Sequence, residues 1–133
     1  MAKADSIANY HDAVEFFYAK TWSDGYPVVP PTKELIASML KATQRDPEEV
    51  LGLVPPNFDP LTVRMVAEHA VMAGALPEYM PVILGGMGAI LDERLNMNGV
   101  QTTVHGVAPL MIVNGPYAKQ IGIHGGGGCF GPG

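Results

Sequence analysis

The chain is 133 residues long, with 8 lysine and arginine residues, 13 aspartate and glutamate residues and a formal net charge of −5. This length corresponds to one domain, and without a basic run the chain lacks the electrostatic footprint of a nucleic-acid-binding protein. The apolar stretch at residues 79–91 spans 13 residues, which is too short to cross a bilayer. Because the N-terminal residues also lack the apolar core of a signal peptide, we expect a cytoplasmic protein with no membrane partner.

The first third of the chain predicts two helices joined by an extended crossing. Residues 6–20 have a broad apolar face, with Ser6 as a candidate cap. The pair Val28–Val29 lies between prolines, which favours a short edge strand because proline donates no ladder hydrogen bond. Thr32 then caps a second helix that runs to about Ala42.

The middle of the chain predicts three further helices. Residues 46–52 begin with Asp-Pro-Glu-Glu, a good helix start, and end at a glycine. Residues 59–74 carry a narrow polar stripe, which indicates a largely covered helix. Residues 77–91 form the last of these, and three glycines within it lower its helix propensity. We expect the glycines to allow close approach of another backbone; they are Gly85, Gly86 and Gly88.

Beyond residue 99 the pattern changes to strands. Val100–Val104 and Leu110–Val113 are rich in β-branched or large apolar residues, and residues 117–121 suit one helical turn. The predicted fold is therefore a single α/β or α+β domain over residues 1–124, with about four helices and a small mixed sheet. Residues 125–133 form a separate glycine-rich tail that contributes to a site or a subunit interface.

The tail combines backbone without side chains and the chain's one cysteine. Six of the 16 glycines lie in its nine residues. Gly126, Gly127 and Gly128 expose N–H groups that can bind an anion, a substrate or a cofactor. Cys129 lies between glycines, which leaves its thiol sterically open to act as a nucleophile, a redox thiol or a metal ligand. The alternative is a flexible chain end.

Two histidines are candidates to act with this thiol. His105 ends a predicted strand and His124 immediately precedes the glycines. With Cys129 they make either a thiol–imidazole pair or a soft N/S site, for which a transition metal is the candidate cofactor. Other polar residues are candidates for positioning a substrate, or alternatively for bonding within turns and strand ends; they are Asp24, Gln101, Thr102, Thr103 and Asn114.

Several long strings together resemble the UGSC family of (seleno)proteins, named for a selenocysteine-Gly-Ser-Cys motif. The strings are residues 24–32, 70–74 with 77–82, 107–116 and 126–133. Members of that family are commonly labelled thiol or selenol oxidoreductases, so the resemblance implies thiol chemistry at Cys129. This chain has no Gly-Ser-Cys motif and one cysteine, so it cannot run a dithiol cycle alone. Similar proteins continue past the final glycines, which implies a fragment or the small subunit of a split protein.

Three functions follow from these residues. The first is a subunit of a heteromeric enzyme that acts on a small molecule, with Cys129 at a site shared with a second polypeptide, His105 as base or ligand, and the glycines binding substrate or cofactor. The second is a metal-dependent hydrolase, hydratase or lyase subunit with His105, His124 and Cys129 as ligands. The third is a non-catalytic scaffold subunit whose tail docks onto a partner.

Overall fold

The computed structural model of the protein describes residues 9–128. Six α-helices and two strands occur in this part of the chain, with short 3-10 turns at Pro77–Tyr79 and Glu93–Leu95. In chain order the elements are α1 (Tyr10–Ala19), α2 (Lys33–Lys41), β1 (Val50–Val54), β2 (Asp59–Thr62), α3 (Val63–Met72), α4 (Met80–Ile90), α5 (Met97–Thr102) and α6 (Pro116–Gln120). The prediction of one mixed α/β domain is confirmed, and α1 to α4 are its four longest helices.

The core lies between α2, α3 and the beginning of α4. From α3 the buried residues are Val63, Val66, Ala67, Ala70 and Val71, spaced so that they share one face of the helix. That face packs against Ile36 and Met39 of α2 and against Met80 and Leu84 of α4. The same core contacts the partly buried leucines of the two strands, Leu51 and Leu61.

The helices begin where local hydrogen bonding predicts. The Thr32 hydroxyl accepts a hydrogen bond from Leu35 N, and α2 ends at the C-cap Ala42, so the predicted second helix is confirmed. Helix α1 is capped by Asn9, whose side chain accepts from Asp12 N. The predicted cap Ser6 lies outside the described residues.

The segment at residues 46–54 forms a turn and a strand, so the predicted helix over 46–52 is wrong. Asp46 does accept a hydrogen bond from Glu48 N, but the turn then ends and Pro47 O accepts from Arg64 N. The following Val-Leu-Gly-Leu-Val sequence pairs antiparallel with β2, with a bulge between Val50 and Gly52. Long-range pairing therefore overrides a good local helix start.

The helix predicted over residues 59–74 begins four residues later than expected. Residues 59–62 are β2, and the helix starts after Thr62, whose hydroxyl accepts from Met65 N. Its predicted end is confirmed, because Gly74 follows the C-cap with a φ of +77°. The predicted edge strand at residues 28–29 is not formed; Val29 N instead donates to Met72 O at the end of α3.

The two strands predicted beyond residue 99 are not formed. Residues 97–102 are α5, because the Asn96 side chain accepts from Gly99 N and the Thr102 hydroxyl donates back to Asn98 O. Residues 110–113 belong to no helix or strand. The sheet of the described residues is accordingly a two-stranded antiparallel hairpin near the middle of the chain, rather than a mixed sheet near the end.

The glycines of α4 do not face another backbone. A Cβ built on Gly86 would overlap the Met111 side chain, whereas Gly85 and Gly88 have nothing within 4 Å. The predicted close approach is therefore a side-chain contact at one position. Among residues 9–128, no helix combines the length and apolarity needed to cross a membrane.

Candidate functional site

An apolar cleft lies between the beginning of α4 and the chain that follows α6. It has a volume of about 340 Å³, which falls in the range of small-molecule pockets. One wall comes from the entry and first turns of α4 and the other from the end of α6; the lining residues are Tyr79, Val82, Ile83, Ile121, Gly122 and Ile123. Such a surface suits the apolar part of a small ligand.

The second wall depends on a glycine-terminated helix end. Gly122 follows the C-cap Ile121 with a φ of +74°. Gly122 N donates to Lys119 O at 3.2 Å and Ile123 N donates to Ala118 O at 2.9 Å, the paired bonds of a Schellman motif. Because the chain reverses at Gly122, the residues before and after it in sequence, Ile121 and Ile123, both line the cleft.

The entry to α4 is tied to α6 by one side chain. The Tyr117 hydroxyl donates a hydrogen bond to Glu78 O. Tyr117 lies in the first turn of α6, which begins at Pro116 after Gly115, a residue with a φ of +97°. This bond fixes the spacing of the two walls.

The chain leaves the cleft directly into His124 and the glycines. His124 Nε2 lies 2.9 Å from Gly127 O. Because a carbonyl oxygen only accepts, Nε2 donates this hydrogen bond, and the neutral ring keeps its lone pair on Nδ1. Gly128 has a φ of +77°, which favours glycine there. Residues 124–127 therefore form a small closed loop that orients the imidazole.

The other predicted site residues lie in separate places. His105 is exposed after α5, where its N–H donates to the Thr103 hydroxyl and its C=O accepts from Val107 N. Cys129 lies outside the described residues. Within residues 9–128 there is no group of three or more histidine, cysteine, aspartate or glutamate side chains that could hold a metal ion, and the predicted ligand set, which includes Cys129, stays a prediction.

The predicted polar positioning residues do not line the cleft. Asp24 accepts a hydrogen bond from Tyr26 N in a turn that includes Gly25, whose φ is +100°, and its role in positioning a substrate stays a prediction. Gln101 is exposed on α5, not at a strand end, and Asn114 is exposed before α6. The exposed Gly126, Gly127 and Gly128 follow the lining residue Ile123 in sequence, after His124, and are not themselves part of the cleft lining.

Sequence reasoning missed the apolar lining of the cleft. Tyr79, Val82 and Ile83 have the composition of ordinary core residues. The one detectable signal is the Ile-Gly-Ile sequence at 121–123, which is typical of a Schellman helix end with apolar residues on both sides of the glycine. No family model, curated protein or solved structure matches this chain.

Proposed function

We propose that the chain is one subunit of a heteromeric enzyme that performs redox or nucleophilic thiol chemistry on a small molecule at Cys129. The observation that carries the proposal is the continuity of the apolar cleft with the glycine segment. Ile123 lines the cleft, His124 is the next residue, and Cys129 follows five residues later. Binding and reaction would then occur at neighbouring parts of one chain segment.

The chain's own residues supply three functions in this proposal. The cleft binds the apolar part of the substrate by removing it from water. The backbone N–H groups of residues 126–128 bind its polar end. His124 accepts the thiol proton at Nδ1, which produces the thiolate, the nucleophilic form of cysteine. His105 is the second candidate base.

A second polypeptide completes the site in this proposal. With one cysteine in the chain, a redox step would be an exchange in which the Cys129 thiolate attacks a disulfide of the substrate or of that polypeptide, forms a mixed disulfide and releases the other sulfur as a thiolate. The low charge content and large exposed side chains, such as Tyr26 and Phe58, support a surface that is partly covered by a partner. The resemblance to the UGSC family supports the thiol assignment.

Alkylation of Cys129 by iodoacetamide at neutral pH tests the thiol–imidazole pair without knowledge of the substrate. We expect His124→Gln to slow the alkylation, because glutamine cannot accept the thiol proton as a base. His11→Gln is the matched control, since His11 is exposed on α1, and should leave the rate unchanged. Equal rates in all three proteins would refute the pairing of His124 with the thiol.

Substitution of Cys129 by serine or alanine in the complete complex tests the catalytic role itself. We expect turnover to be lost while the complex still assembles. Unchanged turnover would exclude thiol catalysis. If assembly requires residues 125–133 but neither Cys129 nor His105 matters for activity, the chain is the scaffold subunit instead.

One observation favours the metal-dependent alternative, a hydrolase, hydratase or lyase subunit. A histidine that donates one ring N–H to a carbonyl and presents its other nitrogen has the arrangement common to metal ligands, and His124 has that arrangement toward Gly127. His105 and Cys129 would be the other ligands. Elemental analysis of the purified complex distinguishes the two proposals: metal-free protein with full activity would eliminate this one.

A further inference from the structure

An asparagine lies directly before a glycine at two places in the chain, Asn98–Gly99 and Asn114–Gly115. Asparagine is a chemically labile residue. Because glycine has no side chain to shield its backbone nitrogen, that nitrogen can attack the side-chain amide carbon of the asparagine before it. Both asparagines are exposed, so access to solvent does not distinguish the two pairs.

The first pair lies inside α5 and is held there by hydrogen bonds. Gly99 N, the atom that would attack, donates to Asn96 Oδ1 at 3.3 Å. Asn98 O accepts a hydrogen bond from the Thr102 hydroxyl at 2.8 Å. A Cβ built on Gly99 would also overlap the Asn96 side chain, so the space beside this glycine is filled. An attack on the Asn98 amide therefore requires these contacts to open first.

The second pair lies in a more open part of the described chain. Asn114 belongs to no helix or strand. Within residues 9–128, Gly115 N donates no backbone hydrogen bond. A Cβ built on Gly115 would have nothing within 4 Å, in contrast to one built on Gly99. The nitrogen of Gly115 can therefore attack the Asn114 amide without the loss of a backbone hydrogen bond.

We propose that the fold selects Asn114 for spontaneous deamidation and protects Asn98. Gly115 N forms a bond to Asn114 Cγ, the bond from Cγ to the side-chain nitrogen breaks, and ammonia leaves with the proton from Gly115 N. Water then opens the resulting five-membered imide at one of its two carbonyls, which produces aspartate or isoaspartate. The reaction requires neither Cys129 nor a second polypeptide.

The modification changes the chain directly before α6. Either product adds one negative charge to a chain of formal net charge −5, and isoaspartate also adds one carbon atom to the main chain. Gly115 is the N-cap of α6, and the Tyr117 hydroxyl in the first turn of α6 donates to Glu78 O at the entry to α4. The modification therefore acts on the entry to the element that carries one wall of the apolar cleft.

Incubation of the purified chain in neutral buffer at physiological temperature tests the proposal. Tandem mass spectrometry follows both pairs in one tryptic peptide, residues 95–119, because no lysine or arginine separates them. We expect Asn114 to deamidate at least about tenfold faster than Asn98, a ratio that corresponds to about 1.4 kcal/mol in activation free energy, because the hydrogen bonds in α5 must first be lost. Asn114→Gln should remove most of the acidic product that accumulates, and the matched control Asn98→Gln should leave it unchanged.

The same incubation of the urea-unfolded chain separates the effect of the fold from that of the local sequence. We expect both asparagines to react at similar rates there, because unfolding removes the contacts that restrain Gly99. Labelling by isoaspartyl methyltransferase should identify isoaspartate in the folded sample. Equal rates at Asn98 and Asn114 in the folded chain would overturn the proposal. An intact Asn114 in the folded chain, or the same preference for Asn114 in urea, would do so too.

Discussion

The glycines of α4 allow a sharp test of the contact between Met111 and this helix. Gly88→Ala should stabilise the protein, because a Cβ there has nothing within 4 Å and alanine is more favourable than glycine in a helix by about 1 kcal/mol. For a chain of this length that gain raises Tm by roughly 3–5 °C. Gly86→Ala gains the same helix propensity but displaces Met111.

The displaced contact sets the size of the opposing effect. Full burial of a methionine side chain contributes about 1.5–3 kcal/mol, and Met111 is 53% exposed. The contact of Met111 with α4 therefore contributes about 1 kcal/mol to the free energy of unfolding. This loss offsets the gain in helix propensity, so Gly86→Ala should leave the free energy of unfolding nearly unchanged.

A double-mutant cycle separates these two effects. In a Met111→Ala background the atoms that a Gly86 Cβ would meet are gone, and Gly86→Ala should then stabilise by its full amount of about 1 kcal/mol. The cycle gives a coupling energy of about 1 kcal/mol between the two positions.

Chemical denaturation of the single and double variants measures these free energies, with Gly88→Ala as the matched control in the same helix. A gain from Gly86→Ala as large as that from Gly88→Ala in the otherwise wild-type chain would refute the contact with Met111. A loss from Gly88→Ala would refute the open surroundings of that position.

Three further predictions concern the core, a helix cap and pH. Met80→Ala should destabilise by about 2–5 kcal/mol, because Met80 is fully buried, whereas Met65→Ala, at a side chain that is 38% exposed, should cost only about 1–2 kcal/mol; denaturation measures both. Thr62→Ala should cost about 1 kcal/mol by removing the cap of α3, and Thr62→Ser should restore most of it. Side-chain and backbone hydrogen bonds from Arg94 hold the pKa of Asp92 below its ordinary value of 3.8. The ionised Asp92 therefore stabilises the folded protein above pH 3.8, and this contribution is lost as the pH falls through the lowered pKa. An NMR titration should show that the pKa of Asp92 rises in Arg94→Ala, and an unchanged pKa would contradict Arg94 as the cause.

The helices that were predicted correctly carry their own boundary signals. Thr32 caps α2 through a bond to Leu35 N three residues away, and Gly74 ends α3 with a positive φ. These are local effects of side-chain and backbone geometry. A sequence of ten or so residues therefore contains enough information to place such a helix.

The strands were mispredicted because strand formation depends on distant partners. Residues 50–54 become β1 by pairing with β2, although Asp46 and Pro47 favour a local helix start. Residues 110–113 have strand composition but no strand beside them within the described chain. Composition sets the tendency toward an extended backbone, and the presence of a partner decides whether a strand forms.

In the candidate site, too, some features are set by neighbouring residues and others by contacts between distant parts of the chain. The sequence alone determines where the glycines are concentrated, that they lie beside the only cysteine, and that His124 immediately precedes them. These are properties of neighbouring residues. The tertiary structure alone decides that Tyr79 and Ile123 share a cleft, that His105 lies apart after α5, and that His124 Nε2 bonds to Gly127 O. The cleft joins residues more than forty positions apart, and packing of α4 against the end of α6, which no local pattern encodes, brings them together.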